Sequence, residues 1–90
     1  MKPTIGRIVH YVQEKPAVYQ SKDPEVPRKM VTLPAIITAV WSDTCVNLQV
    51  FTDGNNSDEP HTNQIKWVTS SSFDGSDTPQ PRSWNWPPKV

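Results

Sequence analysis

Residues 34–54, PAIITAVWSDTCVNLQVFTDG, decide the fold. Ala35 to Trp41 is a nearly unbroken apolar run of strand length, rich in β-branched side chains, and Pro34 gives it a clean start. Cys45 to Thr52 alternates. Val46, Leu48 and Val50 point one way, and Asn47, Gln49 and Phe51 point the other, the period of a half-buried strand. Ser42-Asp43-Thr44 is short enough to make the two runs a hairpin. Asp53-Gly54-Asn55-Asn56 then supplies a strong turn signal, because Gly and Asn tolerate the positive φ of tight turns.

Two further strands flank this hairpin. Thr4 to Val12 has Ile8, His10 and Val12 on one face and Ile5, Arg7, Val9 and Tyr11 on the other, so both faces are mixed and both are expected to be covered. Gln64 to Thr69 places Ile65 and Trp67 together. Residues 13–33, with Pro16, Pro24 and Pro27, read as a long charged excursion, and residues 70–90 as a serine- and proline-rich tail. Helical periodicity is almost absent. The pattern predicts an all-β protein: a small, highly curved, antiparallel barrel of four to five strands, SH3-like or OB-like, over residues 1–78. Residues 79–90 form an extended Pro/Trp-rich docking tail.

Composition narrows the functions. Ninety residues make one domain with one small core. Nine basic residues balance nine acidic ones, which disfavours long nucleic acid and anionic membrane surfaces, since both reward a positive excess. No apolar run approaches the roughly 20 residues of a membrane helix, and Met1-Lys2-Pro3 opens no secretion signal. The single cysteine, Cys45, can form no internal disulfide and fits a reducing cytoplasm.

Catalytic and metal-binding patterns are weak. His10 reads as a hydrogen-bonded strand residue and His61 as a solvated loop residue. No spacing converges His, Cys or carboxylate groups on a metal, so no metal and no cofactor is expected. Asp53, Asp58 and Glu59 lack the alternating oxygens of a calcium loop, and Ser70-Ser71-Ser72 has no histidine beside it to activate a nucleophile. The chain is not expected to be an enzyme.

Recognition remains. The segment PRSWNWPPKV, residues 81–90, carries two of the four tryptophans where neither a helix nor a central strand is expected. Burying one indole removes about 150–250 Å² from water, worth roughly 4–6 kcal/mol before entropy. The tail must therefore dock on its own barrel, on a second copy, or over a ligand. Tyr11, Phe51, Trp67, Trp84 and Trp86, interleaved with Arg7, Arg82, Asn47, Asn55 and Asn56, form a set able to stack bases and bond their edges or phosphates. Taken singly, the same residues are ordinary: Trp41 and Trp67 read as core, and the asparagines as turn residues.

IGRIVHYV at 5–12, PAIITAVW at 34–41, VNLQVFTDG at 46–54, Trp67 and SWNWP at 83–87 together resemble a family of small bacteriophage and prophage proteins. The likeness covers most of the chain outside residues 13–33 and 55–63. The family is similar in turn to phage sponges that sequester the cyclic dinucleotide signals of bacterial anti-phage (anti-CBASS) defence. That resemblance implies a non-catalytic, oligomeric binder in the host bacterial cytoplasm. Its pocket candidates are His10, Tyr11, Thr52, Asp53, Arg82, Trp84 and Trp86. A virion component that decorates a capsid or neck, and a regulator that binds a host protein, are the alternatives.

Overall fold

A computed structural model describes residues 2–17, 22–53 and 64–88. Five strands follow one another: β1 (Ile8–Pro16), β2 (Arg28–Val40), β3 (Cys45–Phe51), β4 (Ile65–Ser72) and β5 (Trp84–Asn85). They form one antiparallel sheet in the order β4-β3-β2-β1-β5. No helix occurs among the described residues, so none there is long and apolar enough to cross a membrane. The all-β expectation holds. The sheet itself is open, with β4 at one edge and β5 at the other.

Alternation builds the core. Val9 and Tyr11 of β1, Leu33, Ala35 and Ile37 of β2, Val46, Leu48 and Val50 of β3, and Val68 of β4 all point inward and are buried. The expected facing of Val46, Leu48 and Val50 is therefore the observed one. Asn47, opposite Ala39, lies at a double irregularity. The β2–β3 register shifts between Ile37 and Ala39, and the β3–β4 register shifts between Val46 and Leu48. Such bulges bend strands and increase twist. At the second shift Ser70 adopts φ 54°, and the Asn47 Oδ1 accepts hydrogen bonds from Ser70 N (2.9 Å), Thr69 Oγ1 (3.1 Å) and Trp41 Nε1 (2.9 Å). One carboxamide thus satisfies donors that the bulge and the hairpin turn leave over.

Several boundaries move. Most of residues 13–33 is not an excursion: β1 continues to Pro16 and β2 begins at Arg28, paired from Pro16↔Arg28 to Ile8↔Ile36. Pro34 lies inside β2 instead of starting it. Ile37 exchanges backbone bonds with Arg7 and Gly6 on the β1 side, so the two-residue alternation turns the Pro34 nitrogen away from β1. On that other side the β3 ladder begins only at Ala35↔Val50, and no hydrogen bond is lost. Strand β1 begins later than Thr4. Its outer face is only partly covered, with Ile8 exposed, His10 half-buried and Val12 buried. Trp41 and Trp67 are not core residues; they are 64% and 62% exposed. The turn beyond Asp53, the 55–63 loop and His61 lie outside the described residues.

The buried tryptophan comes from the C-terminal segment. Trp84 has no exposed surface, pairs with Tyr11 across β1, and donates from Nε1 to the Thr44 carbonyl at 3.1 Å. It also meets Phe73 through an isolated parallel bridge and an edge-on ring contact at 5.1 Å. Trp86 is half-buried, edge-on to Trp84 at 5.3 Å, with the Arg7 guanidinium 5.5 Å from its ring. Trp84→Ala is therefore expected to cost about 3–5 kcal/mol in chemical denaturation, as deletion of a core aromatic does. Trp86→Ala should cost clearly less, and equal losses would contradict this division of labour.

Candidate functional site

The sheet curls until its β4 side approaches the far end of β1, although β2 and β3 separate them in the ladder. The seam between them is an open cleft of about 550 Å³, within the usual range of ligand sites. Tyr11 and Gln13 of β1 and Lys66 and Val68 of β4 face each other across it. The Lys66 ammonium donates to Gln13 Oε1 and lies 5.6 Å from the centre of the Tyr11 ring. Glu14, Arg28, Trp67 and the Pro81-Arg82 turn form the rim.

The alternation that builds the core also explains the charged groups. Gln13 and Lys15 continue the inward face begun by Val9 and Tyr11, and both remain buried at the end of β1. Lys66 takes the inward position of β4 two residues before Val68. At that inward position the Lys66 ammonium has a polar partner in Gln13 and an aromatic one in Tyr11. Arg28 carries the positive charge on the opposite rim, with its Nε 3.4 Å from the Glu14 carboxylate.

Arg82 is positioned by backbone geometry. Its φ of 70° lies in the left-handed region, unusual for a residue with a Cβ. Its amide donates to the Val12 carbonyl at 2.8 Å, and its own carbonyl accepts from Ser71 Oγ at 2.8 Å. The approach to it is a tight loop organised by Asp74, whose carboxylate accepts from Gln80 N (2.9 Å) and Ser76 N (3.0 Å). The bonds from Gln80, and then those from Ser76, hold the Asp74 carboxyl below the ordinary carboxylate value. Their stabilising effect is present above the unfolded-state value and fades as pH falls through the folded one. A second cleft of about 420 Å³ lies between Ser70–Asp74 and Gln80–Ser83 and also reaches Arg82.

Of the seven residues singled out in the sequence, Tyr11 and Arg82 meet at the cleft. His10 is on the outer face of β1 opposite Asn85, and neighbouring strand positions cannot share a face with Tyr11. Thr52 is buried and bonds to Gln64 through its amide, and Asp53 is exposed beside it; neither lines the cleft. Trp84 is core and offers no ring face to a ligand, while Trp86 packs on Trp84. Gln13, Arg28 and Lys66 were not singled out. Gln13 and Arg28 fell in the stretch read as a loop, and Lys66 betrays itself only through its inward register. No protein-family model, curated protein or solved structure matches this chain.

The left-handed Arg82 gives a test of whether this residue is kept for its side chain. Glycine takes that conformation without strain, so Arg82→Gly should leave stability unchanged within about 1 kcal/mol or raise it. A loss of several kcal/mol in urea unfolding would show that the arginine serves the fold.

Proposed function

We propose that the protein is a non-catalytic binder that sequesters a small cyclic nucleotide, of the cyclic dinucleotide class, in the cleft between β4 and β1. One observation carries this reading: Arg28, Lys66 and Arg82 converge around a cleft whose rim holds the exposed indole of Trp67 and whose floor holds Tyr11. Glu14 is the one carboxylate in that lining, and it already faces Arg28. Two phosphates need only two or three cations in the right place, and guanidinium groups meet them with paired hydrogen bonds. Base stacking on an indole contributes about 1–3 kcal/mol. The formal net charge of zero favours such a small anion over a long polyanion.

The curl of the sheet and the Phe73–Trp84 bridge support a finer description of the fold as a nearly completed SH3-like or OB-like barrel. In that description the ligand occupies the seam where completion stops. The likeness to small phage proteins supports a setting in the host bacterial cytoplasm and a role in immune evasion. A sponge must outcompete a host receptor, which requires nanomolar affinity, about −12 kcal/mol. An open cleft supplies only part of that, so binding as a homo-oligomer is part of the proposal.

Titration calorimetry with a panel of cyclic dinucleotides and trinucleotides tests it. At least one is expected to bind at micromolar concentration or below. Trp67→Ala should weaken that ligand by roughly 10- to 100-fold, the equivalent of one stacked base. Arg82→Gly and Lys66→Met should weaken it while the unfolding midpoint of Arg82→Gly stays at or above that of the parent. A panel with no binder ends the nucleotide reading.

A further inference from the structure

The outer face of the sheet carries apolar side chains in register. Ile8, Ile36, Gln49 and Trp67 are successive cross-strand partners on β1, β2, β3 and β4. Phe51 and Ile65 pair directly alongside. Ile8, Trp67 and Ile65 are 61%, 62% and 55% exposed. Neighbouring strands lie about 4.8 Å apart, so these side chains follow one another around the convex side of the curled sheet. Neither row holds an Asp, Glu, Lys or Arg, and the half-buried His10, opposite Pro34, closes the second row on β1. Glu14 and Arg28 of that face pair with each other beside Met30 and share the cleft rim with Trp67 at the border of the patch.

We propose that this face packs against the same face of a second copy, as a two-fold, sheet-on-sheet dimer. A two-fold contact sets each patch against itself, so any charge near the axis would meet its own like. A patch made of isoleucine, phenylalanine, tryptophan and glutamine escapes that repulsion, and a formal net charge of zero removes it between whole chains. The exposed parts of Ile8, Phe51, Ile65 and Trp67 amount to on the order of 400–500 Å², the size at which a patch marks an interaction surface. Contact by the face is favoured over pairing along the β4 edge, because Lys66 points inward from that strand and a charge so placed deters a docking strand. Trp67 belongs both to this face and to the cleft rim, so the second copy covers one side of the cleft. That last consequence rests on the cleft being the ligand site; the dimer does not.

Sedimentation velocity across micromolar to high-micromolar protein decides it. The parent chain is expected to sediment as a dimer at the upper end. Ile8→Lys and Ile65→Glu, at opposite sides of the patch, should each weaken association by roughly tenfold or more while keeping the parent circular dichroism and melting curve. Should one of them fail to fold, the other reads the same face. A parent chain that stays monomeric throughout overturns the proposal, as does a dimer that survives both substitutions. A monomer that floats with neutral phosphatidylcholine vesicles would give the face to lipid instead, and also overturns it. Running the nucleotide panel on monomeric Ile8→Lys separates the two readings. Loss of the dimer with no ligand bound by either chain supports the interface and removes only the nucleotide.

Discussion

The packing of Trp84 is the constraint on which the remainder depends. Its ring fills the core beside Val9, Tyr11 and Leu48 from the strands, while its indole N–H reaches the Thr44 carbonyl in the β2–β3 connection. Its backbone carbonyl accepts from Asp74 N at 2.9 Å, just past the end of β4. One residue thereby ties β1, the central hairpin and the far edge of the sheet. That tie closes the end of the curl nearest the β2–β3 connection. The C-terminal segment acts less as a tail than as the last element of the core.

Curvature comes from the middle of the sheet. The register shifts beside Asn47 bend β2, β3 and β4 together, and the Asn47 carboxamide bonds the groups these shifts release. Lys66 faces inward by the same alternation as Val68, opposite Val50 and on the near side of the shift. The cleft is the place where a strongly bent sheet stops short of meeting itself, and its basic lining joins Lys66 of the inward row of β4 to Arg28 and Arg82 on the rim.

Much of the fold was legible in the sequence, because period-two alternation survives wherever one face is apolar. The central hairpin, the facing of Val46, Leu48 and Val50, and the pairing of Ile65 with Trp67 on one face could all be read. Prolines misled. Pro16 ends β1 and Pro34 is accommodated just before the β2–β3 ladder begins at Ala35, so a stretch punctuated like a loop is mostly strand. The tryptophans misled too. Trp41 and Trp67 read as core from the sequence, whereas the interior position falls to Trp84 through contacts distant in sequence. Of the site, Tyr11 and Arg82 were legible from residue chemistry. Lys66, Gln13 and Arg28 were not, since their meeting depends on a curl that no local pattern encodes.

The pairing of positions 10–11 with 84–85 also bears on how the chain acquires its shape. Contacts between such distant positions require a large loop to close before any reward is gained, which slows folding relative to local hairpins. During synthesis β1 leaves the ribosome early and its neighbour β5 leaves late. Until then β1 can pair only with β2, and the nascent core lacks its largest side chain. Completion of the native sheet therefore waits for the arrival of a single indole.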